Sequence, residues 1–198
     1  RDMMMIALPN MDMSFTCTLF MKSSGKNSFD SISNDKLLLE FFEKNFCDAI
    51  PYLSNLKNDF FHNPTGKLIG MRSPRWNHNG DALSIGDAAH ATVPFYGQGM
   101  NASFEDCFIL SRIIKEVGDF DWAKIFTEFY NKRKEDADAI LDLSLENYKV
   151  MRSDVLDQSY INKQNLSFLL NNDYPQQFIP LYTMVSFTTI PYKVALDR

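Results

Sequence analysis

The sequence predicts an α/β fold with α+β character, because three kinds of pattern follow one another along its 198 residues. Two apolar runs separated by a turn come first, and a helical pattern follows them. A short apolar run then leads through a glycine loop into another helical pattern. Nearly everything after that loop has helical periodicity, so we expect strands in the first part of the chain and helices in the second.

The composition narrows the class of protein. Hydrophobic residues make up 45% of the chain and include 17 Phe and 8 Tyr, enough to fill a sizeable core. The formal net charge of -5 argues against a surface for nucleic acid or anionic membranes. The cysteines are far apart and lack metal-ligand spacing, which favours a reducing compartment. No apolar run approaches the roughly 18 residues of a membrane-spanning helix.

The first part of the chain predicts a hairpin, a helix and two further strands. Residues 3–8 and 14–21 are apolar or alternating runs on either side of a turn, which is typical of a β-hairpin. Residues 33–45 carry apolar side chains at helical spacing, and a Ser-Asn pair at their start can cap the helix. Residues 59–62 and 67–75 are short runs separated by a turn, and we predict a strand for each.

The second part predicts a series of helices. Residues 100–117 form a helical pattern that ends at Gly118. A longer helix is predicted from about residue 121 to residue 151, because side chains of one stripe recur in steps of three or four. A third helix is predicted over residues 153–170, and a proline-bracketed apolar segment follows at residues 181–190.

The stretch between these two parts carries the clearest functional signal. Residues 82–85 form an apolar run bounded by glycines, which predicts a buried strand, and Asp87 follows it closely. Gly97-Gln98-Gly99 then leads into the helix. Glycine permits close backbone approach and a helix N-terminus offers free N–H donors, so the arrangement predicts a loop that binds a polar ligand. The alternatives are a turn or N-cap role for Asp87 and a simple turn for the glycines.

Several side chains near this loop and on the long helix have two interpretations. Phe95 and Tyr96 either fill the core beneath the loop or line a flat aromatic pocket. Asn147 lies on the apolar stripe of the long helix, where a buried amide needs a hydrogen-bond partner. That partner is either another part of the protein or a carboxylate or carbonyl of a ligand. The hydroxyl of Tyr182 poses the same choice.

Histidines and clustered carboxylates do not predict a metal centre or a hydrolase. No pair among His62, His78 and His90 has metal-ligand spacing, and no carboxylate partner is evident, so we expect structural or exposed roles. The carboxylates within residues 135–138 are expected on a solvated helix face. No Gly-x-Ser-x-Gly motif occurs, which removes support for a serine hydrolase.

The central stretch also resembles a known protein family. Residues 86–90 (GDAAH), Pro94 and residues 97–101 (GQGMN) resemble the second FAD motif of the flavin-dependent aromatic hydroxylases. Further blocks are similar to the branch of that family that hydroxylates L-kynurenine, namely residues 4–10, 14–21, 93–102, 104–107 and 178–185. The resemblance extends from the first residues to about Tyr192.

The resemblance implies part of an FAD/NAD(P)-binding flavoprotein hydroxylase fold. Residues 1–80 would belong to its antiparallel substrate-binding sheet domain, residues 81–118 would be the last strand–loop–helix of the FAD domain, and residues 119–198 would be a C-terminal helical region. No Gly-x-Gly-x-x-Gly occurs, so the ADP half of the FAD site and the arginine for the substrate carboxylate would lie in a missing N-terminal part. We therefore expect a C-terminal portion that alone neither retains FAD nor turns over.

The same resemblance implies an activity. NADPH would reduce FAD, O2 would form a flavin C4a-hydroperoxide, and L-kynurenine would become 3-hydroxy-L-kynurenine, a step of tryptophan degradation towards NAD. The alternatives are a related hydroxylase of another aromatic substrate, or a non-catalytic interaction module. The resemblance also implies the cytosolic face of the mitochondrial outer membrane, reached through a C-terminal anchor absent here; otherwise we expect a cytoplasmic protein.

Site residues follow from the resemblance by motif position. No side chain is expected to be catalytic, because the flavin carries the chemistry, and no metal is expected. The expected cofactor-binding residues are Asp87, Pro94, Gly97, Gln98, Gly99, Met100 and Asn101. The expected substrate-binding residues are Phe95, Tyr96, Gln98, Asn147 and Tyr182.

Overall fold

The computed structural model describes residues 3–198, apart from the side chain of Leu156. The chain divides into two compact units, of which the first ends at Lys67 and the second runs from Leu68 to Arg198. The mixed α/β architecture is confirmed. The functional division into residues 1–80, 81–118 and 119–198 stays a prediction.

The first unit opens with the predicted β-hairpin. Strands β1 (Met3–Pro9) and β2 (Phe15–Met21) pair antiparallel, with Met3 opposite Met21. Asp12 closes the turn by accepting hydrogen bonds from the backbone and hydroxyl of Ser14. These short-range bonds fix the register and therefore the face that each strand side chain occupies.

The predicted first helix is confirmed as α1 (Asp35–Asn45). The side chain of Asn34 caps it by accepting a hydrogen bond from the Leu37 N–H at 3.1 Å. Apolar side chains at helical spacing are buried on one face and form the core of the first unit, namely Leu38, Phe41 and Phe42 with Met3 and Ile32.

The two strands predicted after α1 are wrong. Residues 59–62 belong to helix α2 (Leu56–His62), because Leu56 and Phe60 lie four residues apart and pack together against the core of the first unit. Residues 67–75 form no regular element. Met71 and Ser73 instead donate backbone hydrogen bonds to the Ala91 and Ala89 carbonyls.

The predicted buried strand at residues 82–85 is also wrong in length and burial. Strand β4 (Ala82–Leu83) is short and pairs only with β3 (Asn77–His78) among the described residues. Ile85 is 36% exposed, since no described strand covers the other edge of β4. The chain nevertheless leads from β4 into the glycine loop, as the sequence predicts.

Helices fill the rest of the second unit. Its helices are α3 (Asp87–His90), α4 (Gly99–Val117), α5 (Trp122–Arg152), α6 (Gln158–Asp173), α7 (Leu181–Phe187) and α8 (Tyr192–Leu196). The prediction for α4 is confirmed, and Gly118 ends it in the left-handed conformation at φ 76°. The prediction for α5 is confirmed too. The third predicted helix begins at Gln158 instead of residue 153, because Asp157 caps it through the Ser159 N–H.

Helix α5 is the central support of the second unit. Its first half packs Ile125, Phe129 and Ala137 against Trp76 and the α4 residue Ile113. Its second half packs Ile140 and Leu143 against Met184 and Val185 of α7 and Tyr192 of α8. Helix α5 therefore contributes to two apolar clusters of the second unit.

Candidate functional site

The loop begins with a turn that requires glycine. Gly86 has φ 58° and ψ -143°, a backbone conformation that residues with a Cβ rarely adopt. A Cβ at this position would also lie 3.0 Å from Ser103 Oγ. Gly86 is the N-cap of α3, so Asp87 is not the cap but the first residue of that helix. Asp87 is exposed, and within residues 3–198 its carboxylate has no hydrogen bond or ion pair.

The loop ends at an open helix N-terminus. Gly97 has φ 68°, and the space where a Cβ would stand is empty to 4 Å. Helix α4 then starts at Gly99, and its N-cap residue Gln98 provides no side-chain hydrogen bond to the first turn. The first N–H groups of α4 are therefore free of a side-chain cap and carry the partial positive charge of the helix terminus.

A cavity of about 460 Å³ opens between these two ends of the loop. Most of its lining residues are ones the sequence predicts for a cofactor, namely Asp87, Pro94, Gly97, Gly99 and Met100. Thr92 and Ser103 complete the lining. The cavity thus has a free carboxylate, uncapped N–H donors and a bare glycine backbone around it. This combination suits a ligand that has both hydroxyl groups and a group that gains negative charge.

The side chains of Gln98 and Asn101 brace the loop from within. Gln98 is 7% exposed, and its Oε1 accepts hydrogen bonds from Asn101 Nδ2 at 3.0 Å and the Tyr192 hydroxyl at 3.2 Å. Its Nε2 donates to the Tyr96 carbonyl at 3.3 Å. The amide of Gln98 is therefore engaged by the protein, and its backbone is the part available to a ligand. Its predicted contact with a substrate stays a prediction.

The predicted substrate residues form two pairs. Phe95 is buried and stacks on Tyr148 at a centroid distance of 4.6 Å, and its carbonyl accepts a hydrogen bond from Asn147 Nδ2 at 2.7 Å. Asn147 thus has the structural partner that its place on the stripe requires. Tyr96 stacks on Tyr182 at 5.6 Å, and Tyr182 is 54% exposed.

Tyr96 is a neutral phenol over the whole physiological pH range. Burial is the largest cause that raises its pKa to about 12, and the nearby Tyr160, Glu146 and Tyr182 add to the shift. A neutral hydroxyl can both donate and accept a hydrogen bond. The structure therefore stacks the ring of the neutral Tyr96 on the ring of the exposed Tyr182, beside the glycine loop.

A buried ionic network behind the loop was not predicted. Asp106 and Arg133 are fully buried, and His90 is 3% exposed. Asp106 accepts hydrogen bonds from His90 Nε2 at 2.6 Å, Arg133 Nε at 2.8 Å and the Gly86 N–H at 2.9 Å. Burial alone would raise the pKa of Asp106, but the bonds from His90, Arg133 and Gly86 lower it below its ordinary value. Asp106 is thus the carboxylate partner of His90 that was not evident from the sequence.

The network continues towards α8. Arg133 Nη1 lies 2.9 Å from Glu105 Oε2 and 3.7 Å from Asp136 Oδ2, as ion pairs without hydrogen-bond alignment. Asp136 also accepts the Lys193 N–H at 2.9 Å. The prediction of a solvated face is therefore wrong for Asp136, because that carboxylate neutralises a buried cation. Arg133 falls on the apolar stripe of α5, and a cation there was the sequence signal for a buried partner.

Two further findings concern metals and membranes. Among the residues whose placement is described, no group of three His, Cys, Asp or Glu side chains could hold a metal ion. Within residues 3–198, no helix combines the length and apolar character needed to cross a bilayer.

Comparisons with known proteins add family information. A family model described as squalene epoxidase matches residues 31–181. The chain is 47% identical over 195 residues to a kynurenine 3-monooxygenase of Flavobacterium johnsoniae, covering 98% of this chain and 44% of that protein. It is 48% identical over 194 residues to one of Cytophaga hutchinsonii, covering 98% and 43%. It is 40% identical over 192 residues to one of Myxococcus xanthus, covering 97% and 41%.

These figures bear on length and location. The chain spans about 44% of the length of the relative from Flavobacterium johnsoniae. These relatives come from bacteria, which have no mitochondria, so the expected mitochondrial outer-membrane location finds no support in them.

Proposed function

This chain belongs to the squalene epoxidase family, and we propose that it is part of a flavin-dependent monooxygenase that converts L-kynurenine to 3-hydroxy-L-kynurenine. The observation that carries the proposal is that relatives named kynurenine 3-monooxygenase match 98% of the chain at 47% and 48% identity. The cavity at the glycine loop supports it independently, since its lining has the groups that a flavin needs.

The residues around the cavity fit the ribityl and ring portions of FAD. The Asp87 carboxylate is exposed at the cavity and can accept hydrogen bonds from ribityl hydroxyls. The N–H groups of the first turn of α4 can donate to the ring's carbonyl edge, because the N-cap leaves them uncapped. FAD supplies the redox chemistry when bound, with NADPH as reductant and O2 as the oxygen donor. The positive end of α4 stabilises negative charge on the ring.

The substrate side is formed by side chains of α5, α7 and the loop. The exposed Tyr182 and neutral Tyr96 offer an aromatic wall and two hydroxyl groups for an aromatic amino acid. Asn147 Nδ2 donates a hydrogen bond to the Phe95 carbonyl. Among the described residues, no donor contacts Asn147 Oδ1, so that oxygen can accept a hydrogen bond from a substrate ammonium. These roles fit kynurenine, which carries both an aromatic ring and an amino-acid group.

Two other functions have less support. A related hydroxylase of another aromatic substrate would use the same cavity, but the names of the relatives favour kynurenine. A non-catalytic interaction module would not need an uncapped helix and a free carboxylate at one cavity.

The test is turnover by the full-length protein. We expect flavin absorption bands, NADPH oxidation that L-kynurenine stimulates, and 3-hydroxy-L-kynurenine as the product. Flavin bands without stimulation or product would retain a flavin enzyme and exclude kynurenine. A protein that never takes up flavin would exclude the proposed function.

A further inference from the structure

We propose that Asp106 is a positioning residue that sets the place of Asp87 at the cofactor cavity. The inference rests on the proposed function, because it assigns to Asp87 a contact with FAD. Asp106 lies on α4, 20 residues after Gly86 in the chain, and is fully buried. It therefore acts on a ligand only through other residues.

The geometry gives Asp106 control over both ends of helix α3. Its Oδ2 accepts one hydrogen bond from the Gly86 N–H at 2.9 Å and another from His90 Nε2 at 2.6 Å. Gly86 is the N-cap of α3 and His90 is its last residue. A single carboxylate oxygen thus holds the start and the end of the one helical turn that carries Asp87.

The other carboxylate oxygen is fixed from α5. Asp106 Oδ1 accepts a hydrogen bond from Arg133 Nε at 2.8 Å, and Arg133 Nη2 contacts the Ala102 carbonyl at 3.4 Å. Arg133 is itself fully buried. The carboxylate therefore has little freedom to rotate, and the three donors define its position as well as its charge.

This arrangement ties both proposed cofactor contacts, Asp87 and the first N–H groups of α4, to the same helix. Helix α4 supplies the N–H donors at its N-terminus and, through Asp106, also the anchor for α3. Ser103, on the same helix, stands against Gly86 so closely that a Cβ there would lie 3.0 Å from Ser103 Oγ. The distance between the Asp87 backbone and the helix donors is therefore fixed by direct contacts between α3 and α4 and not only by the loop that connects them.

Stability alone gives a weaker account of the network. A buried ion pair contributes little net stability, because the loss of hydration offsets the attraction between its charges. Hydrogen bonds of fixed direction, by contrast, are what an active site needs to hold a binding group within a fraction of an ångström. The position of the network directly behind Asp87 agrees with this role.

The experiment compares two Asp→Asn changes in the full-length protein. Asp106→Asn is expected to raise the Kd for FAD by about tenfold or more, since an amide cannot accept from all three donors. Asp136→Asn is the matched control, because it alters the same cluster but contacts Arg133 and the Lys193 N–H instead of α3. It should change the Kd by less than about twofold. With FAD saturating, KM for L-kynurenine should stay unchanged in both.

A double mutant separates positioning from general destabilisation. If Asp106 acts through Asp87, then Asp106→Asn in an Asp87→Asn background should weaken FAD binding by less than about twofold further. Should Asp106→Asn not fold, His90→Phe replaces it, since that change keeps a ring against Trp76 but removes the donor at the end of α3. Its Kd for FAD should rise about threefold or more.

Defined results would overturn the inference. An unchanged FAD Kd in folded Asp106→Asn, or in His90→Phe where Asp106→Asn does not fold, would exclude the positioning role. Full additivity with Asp87→Asn would exclude action through Asp87. An equal rise of the FAD Kd in Asp136→Asn would show that the network has only a structural role. A wild-type protein that binds no FAD would instead overturn the proposed function on which the inference rests.

Discussion

The cofactor side and the substrate side of the proposed site differ in how their groups are supplied. On the cofactor side, Asp87 is exposed, Gly97 has empty space beside it and α4 has no side-chain cap. On the substrate side, Phe95 is buried and stacked, and Asn147 already donates to the Phe95 carbonyl. The cofactor side thus presents backbone N–H groups and one carboxylate that have no side-chain partner among the described residues. The substrate side presents side chains that already stack on, or donate hydrogen bonds to, other groups of the protein.

The difference follows from distance along the chain. Residues 86–101 supply the cofactor groups in one continuous loop, so local backbone geometry sets them. The substrate groups come from the loop, α5 and α7, and only packing brings them together. We therefore expect substitutions at the loop glycines to affect FAD binding, and substitutions of the stacked aromatic and amide side chains to affect substrate binding.

The largest effect should come from Gly86→Ala. The left-handed backbone and the contact with Ser103 Oγ make a Cβ unfavourable there, at a strain of about 1–3 kcal/mol. If the loop shifts to relieve that strain, FAD binding should weaken by about 10- to 100-fold, measured by flavin fluorescence titration of the full-length protein. Gly118→Ala is the matched control, because Gly118 also has positive φ, with open space around it, but ends α4 away from the cavity. Equal FAD affinities of Gly86→Ala and Gly118→Ala would contradict the claim that the loop backbone at Gly86 is needed for FAD binding.

A smaller and opposite pattern is expected for Asn147→Ala. Loss of one hydrogen bond to a charged group should raise KM for L-kynurenine about tenfold and leave the Kd for FAD unchanged. Steady-state kinetics at saturating FAD measures the first value, and flavin titration measures the second. An unchanged KM would remove Asn147 from the substrate side, and a weakened FAD affinity would show that the two sides are not separable.

The smallest effect concerns the pH dependence of stability through Tyr96. Its folded pKa of about 12 lies above the ordinary value of 10.0, so the folded protein keeps a proton that the unfolded chain loses. The free energy of unfolding should therefore fall as pH rises from about 10 to 12, by on the order of 1 kcal/mol for this half-buried group. Tyr96→Phe should lack that part of the fall, as measured by urea unfolding at two pH values. An identical pH dependence in both proteins would contradict the burial of this phenol.

Local patterns predicted the elements whose signals lie within a few residues. The hairpin β1–β2, the cap of α1 by Asn34, and the end of α4 at Gly118 all follow from short-range rules. The glycine loop belongs to this group, since its turn, free carboxylate and helix start are consecutive. Helix α2 was missed because its apolar pair, Leu56 and Phe60, starts before the run at residues 59–62 that resembled a strand.

Long-range partners could not be predicted in the same way. Asp106 meets Gly86 and Arg133 across 20 and 27 residues, and no local pattern encodes such separations. The position of Arg133 on an apolar stripe was a partial signal, because a buried cation needs a buried carboxylate. Residues 67–75 likewise depend on partners elsewhere, the carbonyls of Ala89 and Ala91. Pattern reasoning therefore predicted the glycine loop and missed the buried network that holds it.

The most direct test of this account is a crystal structure of the full-length protein with FAD. We expect the flavin in the cavity between α3 and the start of α4. The Asp87 carboxylate and the first N–H groups of α4 should lie within hydrogen-bond distance of it, about 2.7–3.2 Å. Flavin bound elsewhere, or an Asp87 carboxylate that faces only solvent, would contradict the account.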